Sequence, residues 1–136
     1  MKALSAAKTI LAATPFASAT TARTAAIDCQ GADYALIAVP IGIEANTNST
    51  NVVLEVLHSD DTVVTNHVSL GTTLIDNTAA VVASVRVNLI GKKRYLRVTA
   101  TPDTTTNGAV LVGGVVATLM VEASPGSSTT AQLVTI

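Results

Sequence analysis

Charged and aromatic side chains are scarce in this chain. Charged residues make up 12% of its 136 residues and aromatic residues 2%, with no tryptophan, and the formal net charge is −1. Proteins that bind nucleic acid usually present a broad basic face and aromatic side chains on which bases stack. This composition supplies neither feature, so we expect no nucleic-acid partner.

Cysteine and long apolar runs are scarce as well. Cys29 is the single cysteine, which excludes a disulfide within the chain. The most apolar stretch, residues 108–121, is shorter than the roughly 20 residues that a membrane-spanning helix needs, and Gly113 and Gly114 interrupt it. We therefore expect no membrane partner. The chain is nevertheless 49% hydrophobic, which indicates a surface that is partly buried by other protein.

Apolar residues at every second position run through most of the chain, the pattern of half-buried strands. Residues 51–58 place Val52, Leu54 and Val56 on one face, and residues 84–90 and 94–101 alternate in the same way. Turns rich in Gly, Asn and Asp separate these segments. Short strands joined by such turns predict an all-β fold, an antiparallel, jelly-roll-like β-sandwich.

We predict three parts: an extended N-terminal arm at residues 1–24, a β-sandwich domain at 25–123 and a C-terminal tail at 124–136. The arm lacks a strong period and the tail is rich in Ser and Thr. Inside the domain, Pro40 cannot donate to a strand ladder, so it predicts an edge strand or a bulge. The pair Gly113-Gly114 predicts a bend in the last long strand.

Two of the predicted strands, residues 34–43 and 109–121, are apolar at nearly every position. A strand that is apolar on both faces is usually buried on both faces. These strands are therefore expected to form the core and to contribute contacts between subunits.

The segment GKKRYLRV, residues 91–98, holds four of the eight basic residues. A turn at its start places Tyr95, Arg97 and Thr99 on the outer face of a strand and Leu96 and Val98 in the core. Basic residues at the start of a strand discourage edge-to-edge pairing. We interpret the cluster as structural, with four aspartates available as salt-bridge partners: Asp28, Asp33, Asp60 and Asp61.

No group of residues in the sequence predicts an enzyme. His58 and His67 could face each other across a hairpin near Asp60, but a metal site needs further ligands that the sequence does not specify. Ser59 and its neighbours His58 and Asp60 cannot assemble a triad, because adjacent residues of a strand point to opposite faces. Cys29 has no activating cation beside it. We predict no catalytic residue, no cofactor and no metal.

Three segments taken together resemble a family of small virion proteins of tailed bacteriophages. They are residues 28–42, 52–61 and 85–111, and they carry an Asp-x-x-Gly-x-Asp strand entry, a Ser-Asp-Asp turn and a Gly-x-Lys-Arg-Tyr-x-Arg strand before a Thr/Gly-rich turn. The resemblance covers roughly residues 25–122, and it depends on the order and spacing of the three motifs.

The resemblance implies a capsid cement or decoration protein, bound as a homotrimer to the exterior of the virion capsid where major capsid subunits meet. Its partners would be the major capsid protein and other copies of the chain. The residues expected to contact the capsid or a neighbouring subunit are Lys8, Phe16, Arg23, Tyr95 and Arg97. Two alternatives stay open: a tail or head–tail-junction protein of a phage, and a secreted bacterial surface or adhesion module cleaved near Ala19.

Overall fold

A computed structural model describes residues 8–14, 16–18, 22–42, 51–76, 80–102, 110–121 and 132–135. These residues form twelve β-strands and a single 3₁₀ turn at Val64–Asn66, with no α-helix among them. The strands are β1 Lys8–Ala13, β2 Phe16–Ser18, β3 Ala22–Arg23, β4 Ile27–Asp28, β5 Tyr34–Gly42, β6 Asn51–Ser59, β7 Val68–Asp76, β8 Val81–Asn88, β9 Tyr95–Pro102, β10 Val110–Val112, β11 Val115–Met120 and β12 Gln132–Thr135.

The strands form two sheets. Sheet A has the order β1, β11, β5, β8, β12, and β2 pairs with β10 as the continuation of β1 and β11. Sheet B has the order β3, β9, β6, β7, with β4 also paired to β9. Every pairing is antiparallel except that of β12 with β8. The chain passes repeatedly between the sheets in the strand order of a jelly roll, which confirms the predicted fold class.

The core lies between the two sheets and is built from small and aliphatic side chains of both. Its largest fully buried members are Ile27, Ile37, Ile41, Leu54, Ile75, Leu96, Val39, Val52, Val56, Val85 and Val87. The period-two pattern correctly predicted the inward faces of β6, β8 and β9. Each such aliphatic side chain contributes on the order of 1.5–3 kcal/mol by leaving water.

The predicted N-terminal arm is part of the sandwich wherever the structure describes it. Strand β1 pairs with β11 at the edge of sheet A, and Ala12 is buried in the core. Thr24 is also buried: its N–H donates to Val98 O at 2.9 Å, and its hydroxyl accepts from Val98 N–H at 3.1 Å. The interpretation of residues 1–24 as a separate arm is therefore wrong for these residues, because they pair with β9 and β11 in the second half of the chain.

The described part of the predicted C-terminal tail is also a strand of sheet A. Residues 132–135 form β12, which pairs in parallel with β8, Gln132 opposite Ala83 and Thr135 opposite Arg86. The rest of the predicted tail lies outside the described residues.

Pro40, which predicted an edge strand or a bulge, lies in the central strand β5, so the edge-strand alternative is wrong. One side of β5 pairs with β8, and the other pairs first with β11 and then with β10. Pro40 falls between these two partners, where the ladder is interrupted and Gly113 N–H donates to Pro40 O at 2.8 Å. Since N–H and C=O of one strand residue point to the same side, the missing donor of the proline falls at this interruption.

Candidate functional site

The basic segment at the start of β9 forms ion pairs with aspartates of the same chain. Arg94 makes a two-pronged ion pair with Asp28 of β4, Nε to Oδ1 at 2.9 Å and Nη2 to Oδ2 at 2.8 Å. Lys93 Nζ lies 3.3 Å from Asp60 Oδ2. The Arg94 hydrogen bonds lower the pKa of Asp28 to about 2. These contacts match the structural, salt-bridging role that the sequence predicted for this segment.

Arg97 is held by backbone carbonyls of two separate segments. Its Nη1 donates to Thr24 O at 2.8 Å and its Nη2 donates to Thr62 O at 2.7 Å. The side chain therefore ties the segment before β4 and the connection between β6 and β7 to strand β9. Its guanidinium is engaged inside the chain, and a contact between Arg97 and another subunit stays a prediction.

The five residues predicted to contact a partner do not form one patch. Lys8 and Phe16 belong to strands of sheet A, whereas Arg23, Tyr95 and Arg97 belong to sheet B. The Arg94 guanidinium lies over the ring of Tyr95, 5.0 Å from its centroid. Arg23 and Arg97 line the same cavity, and Tyr95 lies two residues before Arg97 on the same strand.

That cavity, called here the Arg23–Arg97 pocket, lies on the outer face of sheet B and has a volume of about 150 Å³. Strands β3, β6 and β9 form its floor, and the connection between β6 and β7 supplies one wall. Its lining residues are Arg23, Glu55, Leu57, Val64, His67, Arg97, Thr99 and Thr101. The period-two pattern correctly predicted Thr99 on the outer face, but it predicted neither the burial of Thr99 nor a pocket.

The register explains why these side chains converge. Thr99 of β9 lies opposite Arg23 of β3 on one side and Glu55 of β6 on the other. Arg97, two residues earlier on β9, lies opposite Leu57. Directly opposed residues of neighbouring strands, and residues two apart on one strand, share a face of the sheet. The guanidinium of Arg23 and the carboxylate of Glu55 therefore lie on either side of the buried hydroxyl of Thr99.

The two histidines make different contacts. His67 Nδ1 lies 2.9 Å from Val63 O, and since a carbonyl can only accept, Nδ1 carries the proton. His58 Nδ1 accepts from Lys93 N–H at 3.1 Å. Burial, together with the charges of Lys93 and Lys92, lowers the pKa of His58. Among the described residues no group of three His, Cys, Asp or Glu side chains could hold a metal ion.

Cys29 is a buried thiol beside the Arg94–Asp28 pair. Its Sγ donates to Ile27 O at 3.5 Å, and burial raises its pKa to about 12. A thiol with a raised pKa is a weak nucleophile near neutral pH. The structure therefore places Cys29 as a small residue of the core.

The outer face of sheet A is mostly apolar. Strands β5, β8 and β11 alternate buried residues with partly exposed ones, and most of the partly exposed set is also apolar. On β1, Leu11 is 62% exposed and lies opposite Val116. The apolar members of this outer face are Leu11, Leu36, Ala38, Pro40, Val82, Val116 and Met120, and Arg86 is the charged residue among the outward positions of β5, β8 and β11.

No helix among the described residues is long and apolar enough to cross a membrane. Comparison with protein-family models, with curated protein sequences and with solved structures finds no match to this chain. The resemblance to phage virion proteins therefore stays a prediction.

Proposed function

We propose that this protein is a non-enzymatic structural component of a phage virion, a cement or decoration protein that binds the outer capsid surface between major capsid subunits. The observation that carries this proposal is the apolar outer face of sheet A. A jelly roll needs only one apolar face per sheet to form its core. Strand β5 carries apolar side chains on both faces, so its outer face is available for burial against other protein.

The chemistry of the rest of the chain supports the same proposal. The thiol of Cys29 is buried, and the Nδ1 atoms of His58 and His67 are engaged by the backbone. Arg94 and Lys93 of the GKKRYLRV segment are paired with Asp28 and Asp60 and join neighbouring parts of the fold. These polar groups stabilise a scaffold, whereas the apolar outer face is the feature that a folded monomer does not require.

The proposed mechanism is stabilisation by mass action. A subunit that binds the assembled shell and not its separate capsid proteins adds its binding free energy to the shell alone. Burial of an exposed leucine such as Leu11 contributes on the order of 1.5–3 kcal/mol per site, and a repeated lattice multiplies that term. The proposed partners are other copies of this chain in a homotrimer and the major capsid protein.

The test compares Leu11→Glu with a matched control, Leu74→Glu. Both leucines are exposed, 62% and 54%, but Leu11 lies on sheet A and Leu74 on sheet B. Light scattering of the wild type should give a discrete trimer, and the wild type should sediment with shells of the cognate major capsid protein. Leu11→Glu should weaken association and Leu74→Glu should not. A wild type that stays monomeric and never binds shells overturns the proposal.

A further inference from the structure

We propose that the Arg23–Arg97 pocket is a binding site for a monoanionic carboxylate on a short aliphatic stem. The pocket contains two arginines and one carboxylate, Glu55, which leaves one positive charge in excess. Its volume of about 150 Å³ accommodates a group the size of an acidic side chain or a short-chain fatty acid. A charge excess of one matches a carboxylate better than a phosphate dianion, which Glu55 would also repel.

An unpaired buried donor in the lining supports a ligand. Arg97 Nε–H is buried and has no hydrogen-bond partner among the described residues. His67 Nε2 is also buried and unpaired among these residues, but it is an acceptor because Nδ1 carries the proton, so it does not pair with a carboxylate. Leaving such a group unpaired in a folded protein costs on the order of 1–3 kcal/mol, so an orphaned atom in a native structure usually indicates a missing partner. A carboxylate has two acceptor oxygens for donors such as the Nε–H of Arg97 and the guanidinium of Arg23.

The pocket is built in advance of binding. Arg97 is already fixed by its two hydrogen bonds to Thr24 O and Thr62 O, so little side-chain entropy remains to be lost. His67 is fixed by Val63 O. The side chain of Arg23 makes no hydrogen bond or ion pair within the described part of the chain, and the residue is exposed, so its guanidinium is available to a ligand.

The apolar wall of the pocket defines the rest of the ligand. Leu57 and Val64 line it alongside the charged groups. An aliphatic stem of a few carbons would contact this wall while its carboxylate meets the arginines. Two sources carry that chemistry: a free short-chain carboxylate, and the side chain of a Glu or Asp on a partner protein. The second source rests on the proposed function, and the first does not.

Other charges near the pocket are already engaged. Asp61 lies in the connection that bears His67, and its carboxylate accepts from Val63 N–H at 2.8 Å and from Asn66 Nδ2 at 2.8 Å. Asp61 therefore serves the turn, and Glu55 is the carboxylate that lines the pocket.

The experiment is an NMR titration of the full chain with sodium propionate, with sodium chloride at equal ionic strength as the reference. We expect saturable shifts at the amides of Thr99 and Arg23, with a Kd in the range of about 1–10 mM. Arg23→Gln should weaken binding about fivefold, and Glu55→Gln should tighten it by a similar factor, because each changes one charge beside the ligand. Lys92→Gln is the control for Arg23→Gln: it also removes one positive charge, but at an exposed turn, and should alter the Kd less than about twofold.

Opposite signs for Arg23→Gln and Glu55→Gln, with no effect of Lys92→Gln, support the site. Shifts that fail to saturate, or that are equal with chloride, overturn it, provided that the spectrum of each variant is that of the folded wild type. A second measurement identifies the source of the carboxylate. If propionate and Arg23→Gln both weaken sedimentation with shells, the ligand is a partner's acidic side chain. If the chain binds propionate but no shells, the ligand is a free carboxylate and only the proposed function fails.

Discussion

Replacement of Gly113 by alanine should destabilise the sandwich through one identifiable contact. A Cβ at position 113 would lie 2.9 Å from Cβ and 3.2 Å from Cγ of Pro40, closer than carbon atoms normally approach. The atoms that it meets belong to a rigid ring in the central strand of sheet A, so neither side can move away cheaply. Overpacking of this kind costs about 1–3 kcal/mol. Reduced entropy of the unfolded chain offsets about 0.4–1 kcal/mol of that cost.

A double-mutant cycle isolates the contact. Pro40→Gly removes both carbons that the new methyl group would meet, so Gly113→Ala should cost little in that background. We expect a coupling of about 1–2 kcal/mol between the two positions, measured from urea unfolding midpoints of the four proteins at constant m value. Costs that add within about 0.3–0.5 kcal/mol would refute the proposed close approach of β5 to the bend between β10 and β11.

Three further perturbations test other parts of the structure. Arg94 keeps the pKa of Asp28 at about 2, below its ordinary 3.8. The stability from this pair is therefore complete above about pH 5 and is lost as the pH falls through about 2. The advantage of wild type over Asp28→Asn in urea unfolding should shrink over that interval. Leu96→Ala removes a fully buried side chain and should lower the free energy of unfolding by about 2–5 kcal/mol. Leu74→Ala, at an exposed position, should change it by less than about 0.5 kcal/mol in the same thermal unfolding assay. Equal effects would contradict the assigned faces. Arg97→Met removes two hydrogen bonds to backbone carbonyls and should lower the free energy of unfolding by about 1–3 kcal/mol. It should also speed amide hydrogen exchange in the connection between β6 and β7. Unchanged exchange there would show that this side chain does not fix the connection.

The inward faces of the strands could be predicted from the sequence, because a half-buried strand fixes which positions are apolar. Val52, Leu54 and Val56 are buried as expected, and the turn at Gly91 has the positive φ of 75° that favours glycine. The partners of the basic segment could be predicted only as a choice among four aspartates. The fold selects Asp28 and Asp60, because β4 pairs with β9 and the turn after β6 lies next to Lys93.

The Arg23–Arg97 pocket could not be predicted, because its residues come from segments far apart in the sequence. Arg23 meets Thr99 only because β3 pairs with β9, and His67 lies over that face only because the connection after β6 folds back across it. Neither the pairing of β3 with β9 nor the course of this connection produces a pattern in the local sequence. The same limit explains the N-terminal segment, whose strand β1 is recognisable only when its partner β11 is known.

The sequence by itself determined that this chain is an all-β protein with an aliphatic core, since period-two alternation and turn residues act over a few positions. It also determined that β5 and β11 are apolar on both faces. The tertiary structure alone decided that Pro40 belongs to a central strand, that β1 completes sheet A, and that β5 and β11 lie side by side in that sheet. These features depend on pairings between distant strands, which follow from the packing of the whole chain and not from any one segment of it.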